Sequence, residues 1–183
     1  MDIRDSEEQL KKVLEAKTEA GRNLDRFNLS GRDLSELDLS EISAEGANFN
    51  SARLNGADLF AAKLTGASFR GANLTGADLS QIDAMGADFT EANLTGASLR
   101  DAFLAGANFT RARLAKTDLK NAVLEDAEFE QADLDHANLT GIEILGHELD
   151  EALNLPLSWL GNLLHPILKA RRQKRRDRNS NEG

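Results

Sequence analysis

The chain has no cysteine and no tyrosine, and only one tryptophan, two prolines and three histidines among its 183 residues. Without cysteine there are no disulfides, thiolate metal sites or thiol catalysis. The histidines His136, His147 and His165 show no metal-ligand spacing. So little of the usual equipment for acid–base or nucleophilic chemistry is present that a non-enzymatic protein without a cofactor is expected. No apolar run approaches the ~20 residues that a membrane-spanning helix needs. The opening MDIRDSEEQLKK is charged and lacks an apolar core, unlike a secretory signal. These features lead us to expect a soluble, cytoplasmic protein.

Charge is unevenly spread. The formal net charge is −9, yet residues 22–152 hold 23 acidic against 11 basic residues, and residues 169–183 hold seven basic against two acidic. An acidic body of this kind is not suited to grip DNA directly.

What the chain does have is a repeat. From 49 to 139 every fifth residue, slot i, is Leu or Phe in 18 of 19 cases, Ala84 being the exception. Slot i−2 is Ala in 17 of 19, the others being Ile82 and Thr117, and slot i−1 is Asp or Asn in 11 of 19. Five residues rotate an α-helix by about 500°, so successive Leu would wander around it. A short strand puts i−2 and i on one side. Slot i+2 is often Gly, which suits the third position of a type II turn, where φ is positive.

A short side plus a corner, repeated, makes a coil, and phenylalanine sets its size. Phe fills slot i at Phe49, Phe69, Phe89, Phe109 and Phe129, every 20 residues, which predicts four sides per coil and an inward Phe ladder. The register runs from about Phe27 to Leu149, roughly six coils and ~30 Å of rod. Two rungs invert the pattern: Ile42–Ala44 and Ile82–Ala84 put the large residue first. The exchange nearly conserves inner volume, which close-packed interiors tolerate better than a lone enlargement.

The stretches GANLTGADLS (71–80) and EANLTGASLR (91–100) resemble the pentapeptide-repeat family, and the resemblance covers about two thirds of the chain. It implies an all-β solenoid, a right-handed quadrilateral β-helix with slots i−2 and i inward. Some members of that family look like duplex DNA in girth and charge and act on type II topoisomerases. Others have no assigned role, and the regular A-(D/N)-L-x-x spelling of this chain looks more like theirs; some members dimerise through C-terminal segments.

An open β-helix needs covers at its ends. Ser6-Glu7-Glu8-Gln9 reads as a capping box, with Leu10, Val13 and Leu14 on one face, so 1–21 is expected to form a helical N-terminal cap before a solenoid at 22–152. Residues 153–168 carry Trp159 and the helical stripe Leu160, Leu163, Leu164, Ile167 and Leu168. Residues 169–183 form a basic tail bearing Lys169, Arg171, Arg172, Lys174, Arg175, Arg176 and Arg178. Three readings stand for this end: a lid with a solubilising tail, a homodimer or partner contact, and docking to an anionic membrane surface or nucleic acid.

The outer surface holds the remaining candidates. Folded on a 20-residue period, one column of i−1 slots reads Asp38, Asp58, Asp78, Ser98, Asp118, Asn138, an acidic face that could bind a partner or simply be solvated and bonded to its own turns. Arg100, Arg111, Arg113, Lys116 and Lys120 form a basic band, followed by an acidic cluster at Glu125, Asp126, Glu128, Glu130, Asp133 and Asp135. The expected role is a non-enzymatic scaffold for an unidentified protein partner. The alternatives are a DNA mimic acting on gyrase and a peripheral membrane or assembly factor docked through its basic end.

Overall fold

The computed structural model of this chain describes residues 22–144, together with Leu149 and Ala152. The expected helical cap at 1–21, the apolar stripe from Trp159 to Leu168 and the basic run from Lys169 to Arg178 lie outside the described residues.

Each side of the coil is so short that pairing amounts to single parallel bridges. They run from Asn23↔Ser43 to Val123↔Glu143, and every one joins a residue to the residue 20 further on. A constant offset of 20 with a five-residue side means four sides per coil, and the stacked coils form a β-helix solenoid. We name the sides by one outward residue each: the Asp38 side, the Phe103 side, the Asn48 side and the Arg53 side, whose outward i−1 columns all appear among these bridges.

Following the backbone donors of one side shows why the chain accepts so short a strand. The Asn48, Phe49 and Ser51 amides donate to Phe27, Ser68 and Arg70 carbonyls of the adjacent coils at 2.8, 2.7 and 2.8 Å. The Ala47 amide closes the preceding turn on the Ala44 carbonyl at 3.1 Å. The fifth, that of Asn50, is accepted by Oδ1 of Asn48 at 2.9 Å. All five donors of the repeat are thus satisfied, which a structure with this much backbone packed between coils requires.

That last bond is the physical reason for Asp or Asn in slot i−1. A short side-chain oxygen there reaches the amide two residues on, as in an Asx turn. The same bond joins Asp58 to Phe60 at 2.9 Å, Asn93 to Thr95 at 3.2 Å and Asn108 to Thr110 at 2.8 Å. Ser68 does not do this for Arg70; instead Asn50 of the preceding coil accepts from the Arg70 amide at 2.9 Å and from the Ser68 hydroxyl at 2.6 Å.

The corners correct one expectation. Positive φ does recur at every slot i+2 from Arg26 to Gly141, but glycine is not what enforces it. Ten of these corners are Gly, with φ from 63° to 73°, and fourteen are other residues, Ala61, Lys116 and His136 among them, with φ from 54° to 61°. Left-handed backbone costs an L-residue about 1–2 kcal/mol. Coil-to-coil hydrogen bonding and core burial over-determine the corner, so the sequence uses Gly where convenient and tolerates its absence elsewhere.

Slots i−2 and i point inward and build one dry core. Leu24 to Ile142 fill it continuously, and nearly all of these residues are completely buried. Phe49, Phe69, Phe89, Phe109 and Phe129 stack with centroids 4.7–5.0 Å apart and ring planes within 12° of parallel. The ring spacing is that of the strands themselves, ~4.8 Å. Thr117, in an Ala slot, is fully buried, and its hydroxyl donates to the Leu94 carbonyl at 2.8 Å.

Both inverted rungs are housed as expected, with Ile42, Ala44, Ile82 and Ala84 all fully buried. They have a consequence that spacing did not suggest. The corner bond from residue i+3 to residue i, present at Ala77→Leu74 and Ala87→Ala84 on either side, is open at Leu39–Ile42 and Leu79–Ile82. The opening goes with the inverted spelling and not with branching alone, since Thr117, also branched and in an Ala slot, keeps its corner bond to the Leu114 carbonyl at 3.1 Å.

Candidate functional site

Because the interior is filled by apolar side chains, chemistry is left to the outward slots. Among the described residues, no group of three or more His, Asp or Glu is placed to hold a metal ion.

The acidic column stands on the Asp38 side, where Asp38, Asp58, Asp78, Ser98, Asp118 and Asn138 are bridged in succession. The structure ties these carboxylates down. Asp38 accepts from the Ser40 hydroxyl and amide at 2.6 and 3.0 Å, and Arg22 pairs with it at 3.2 Å. The Ser40 bonds, with a smaller contribution from Arg22, hold its carboxyl below the ordinary range. Asp58 and Asp78 accept the Phe60 and Ser80 amides, both at 2.9 Å. Asp118 is the most engaged, accepting from Arg100 Nη1 at 2.8 Å, Asn138 Nδ2 at 2.9 Å and the Lys120 amide at 3.1 Å. Partial burial pushes Asp118 up, but Arg100 and these other donors outweigh it and leave the carboxyl lowered.

The basic band is likewise spent in part on local pairs. Arg100 engages Asp118, and Arg111 pairs with Glu91 at 3.2 Å. In the acidic cluster, Glu128 accepts from Asn108 Nδ2 at 2.7 Å, and His136 sits 2.7 Å from Asp135. Neighbouring rungs show the same habit at Arg70–Asp88, 2.9 Å, and Arg53–Asp33, 3.3 Å. Opposite charges one coil apart meet across ~4.8 Å, so pairing is a natural consequence of the stack.

The Phe103 side behaves differently. Its outward column reads Ser43, Lys63, Asp83, Phe103, Val123, Glu143. Phe103 and Val123 are the only apolar residues in slot i−1 between 48 and 138. Neither can supply the oxygen that Asp or Asn gives to the amide two residues on. Phe103 is 54% exposed, and Met85, two residues after its bridge partner Asp83, is 49% exposed. They are the two exposed large hydrophobic residues among those described. Ala105 and Val123, half-buried, continue the apolar surface. Around it stand Asp83, Asp101, Glu125 and Glu143.

The sequence carries a signal for this patch that the majority spelling of the repeat hides. A slot filled by Asp or Asn in 11 of 19 rungs is apolar at two successive rungs of one side. The departure brings no benefit to the core, because slot i−1 points outward.

A model of the pentapeptide repeats matches the chain in eight copies, over residues 23–59, 52–90, 62–101, 87–126 and 102–141. Among solved structures, the chain is similar to the pentapeptide repeat protein Rfr23 from the cyanobacterium Cyanothece 51142, at 24% identity, covering 78% of this chain and 95% of that one with a TM-score of 0.40. A pentapeptide repeat protein from the thylakoid lumen of Arabidopsis thaliana is 40% identical over 49% of this chain and 66% of its own, with a TM-score of 0.25. QnrB1, a plasmid-mediated fluoroquinolone resistance protein, is 17% identical over 80% of this chain and 89% of its own, with a TM-score of 0.31. No curated protein matches the chain.

Proposed function

This chain belongs to the pentapeptide-repeat family, and from that premise we propose that it is a non-enzymatic scaffold whose Phe103 side is a docking face for a protein. With that proposal go a right-handed winding of about six coils and a cover for the first coil at residues 1–21. The observation that carries the reading is the exposure of Met85 and Phe103 on a flat β face where polar residues are the rule. Large apolar side chains grouped on a surface and rimmed by charge are characteristic of protein contacts. Elsewhere the outward slots serve the fold itself, through Asx bonds and inter-coil ion pairs.

The DNA-mimic alternative draws on the acidity of the body. It is weakened by arginines that neutralise Asp38 and Asp118, which breaks the column into a short Asp58–Asp78 run. Docking to a membrane through Lys169–Arg178 lacks support from the described residues.

The test is capture of partners on immobilised full-length protein, with Phe103→Ser and Asp78→Asn variants alongside. Partners lost from Phe103→Ser and kept by Asp78→Asn support the Phe103 side. Partners kept by both variants would remove that side from the mechanism. In parallel, gyrase supercoiling that stays normal under a large excess of the protein would dispose of the mimic.

A further inference from the structure

We propose that the partner of the Phe103 side is a basic amphipathic helix of another protein, its apolar stripe laid along a diagonal from Met85 to Val123 and bordered on both flanks by Lys or Arg. This rests on reading the Phe103 side as a docking face, and it gives that face a partner of definite chemistry.

Three successive rungs build the diagonal. Met85 stands two residues beyond Asp83 on the first, Phe103 and Ala105 share the second, and Val123 lies on the third. Two coil steps of ~4.8 Å along the axis and two residues of ~3.3 Å across it make the diagonal ~12 Å long. An α-helix, rising ~1.5 Å per residue, covers about that length between residues i and i+7. Its side chains at i, i+3, i+4 and i+7 therefore fall on these three rungs, with two of them over Phe103 and Ala105.

Acids lie on both flanks of the diagonal. Asp83 and Asp101 stand on one flank, Glu125 on the other, and Glu143 closes the end beyond Val123. Elsewhere the stack places arginines beside its acids: Asp33, Asp38, Asp88 and Asp118 each have one within 3.3 Å. Around the diagonal the donors are neutral. Asp83 accepts from the Thr65 hydroxyl at 3.1 Å and the Met85 amide at 3.4 Å, and Asp101 from Asn121 Nδ2 at 2.9 Å. Arg100, next to Asp101 in sequence, is turned to Asp118 at 2.8 Å. Among the described residues, none of these four acids forms an ion pair with a Lys or Arg.

This uncompensated rim selects among occupants. The phosphates of a nucleic acid or an anionic membrane would be repelled. A second copy of the chain would set the four acids against their equivalents, with Lys63 the one base in the outward column to offset them. Lys or Arg beside an apolar stripe meets both features of the surface. Their stems extend the apolar contact while their charged heads reach the carboxylates.

The test uses the full-length protein and labelled peptides that share one leucine stripe at i, i+3, i+4 and i+7 and carry Lys, Ser or Glu on both flanks. By fluorescence anisotropy the Lys peptide should bind, the Ser peptide far more weakly and the Glu peptide not at all. Phe103→Ser, at an exposed position, should weaken the Lys peptide about tenfold or more. Asp83→Asn and Glu125→Gln, which remove charge and keep an acceptor, should each weaken it severalfold, and added salt should shrink that difference. Asp78→Asn, on another side, should change nothing. No binding of the Lys peptide, equal binding of the Glu peptide, or a loss from Asp78→Asn as large as that from Asp83→Asn overturns the proposal. So does equal binding of a Lys-flanked peptide with a scrambled stripe, because charge alone would then suffice. Self-association of the protein that Phe103→Ser abolishes overturns it too, since a second copy would be the occupant. If the peptides fail while partner capture still depends on Phe103, the docking face stands and its partner has another chemistry.

Discussion

The carboxylate of Asp78 accepts the backbone amide of Ser80 at 2.9 Å. Across the repeat this one bond accounts for the preference in slot i−1, and it separates two roles of aspartate, acceptor and charge. Asp78→Asn keeps the acceptor and should leave the urea midpoint nearly unchanged. Asp78→Ala strands an amide and should lower stability by about 1 kcal/mol. Equal losses in both variants would mean that charge, not the turn bond, is what matters there.

Phe89 lies between Phe69 and Phe109 in the ladder, with centroids 4.9 and 5.0 Å away, and is fully buried. Phe89→Ala should therefore destabilise by roughly 3–5 kcal/mol, the range for deleting a large core side chain. Chemical denaturation of the full chain measures this. A midpoint equal to that of the wild type would contradict the inward stack.

Ile82 and Ala84 share one rung, so their substitutions should be strongly coupled. Ile82→Ala leaves a void, and Ala84→Leu overfills a close-packed layer; each alone should destabilise, by up to several and by about 1–3 kcal/mol respectively. Together they restore the regular Ala–Leu spelling, and the double variant should be far more stable than the sum of the singles. It should also close the turn that is open at Leu79–Ile82. Simple additivity in a double-mutant cycle would show that the swap is not compensation.

Acid should weaken the fold. Burial raises the carboxyl of Asp88, but Thr90 and Arg70 more than offset it, and Asp118 is lowered in the same way by Arg100. A carboxylate whose folded pKa lies below its unfolded value of about 3.9 stabilises above that value. The contribution fades as pH falls through the depressed folded pKa. Unfolding midpoints should thus be level from pH 7 to about 5 and drop below about 4. Asp118→Asn should reduce the size of that drop, and an undiminished drop would show that Asp118 has no part in it.

Much of this molecule is determined by spelling alone. A five-residue period incompatible with a helix, apolar residues two apart and Phe every 20 residues suffice for a four-sided β-helix, because each inward slot has room for only a narrow range of volumes. The compensation at Ile42–Ala44 and Ile82–Ala84 was legible for the same reason. Other features depend on what one coil does to the next. Spacing marked the corners by their glycines, whereas the stack forces Ala61, Lys116 and His136 into the same left-handed backbone. Composition made the Asp38 side an acidic face, whereas the stack brings Arg22 to Asp38 and Arg100 to Asp118. Phe103, Val123 and Met85 are 20 or so residues apart in sequence and become one surface only when coils pile ~4.8 Å apart. Periodicity decides what points inward, since the core admits few residues. What gathers on the outside is decided by the tertiary stack, because solvent tolerates nearly any side chain and only lateral proximity gives a group of them meaning.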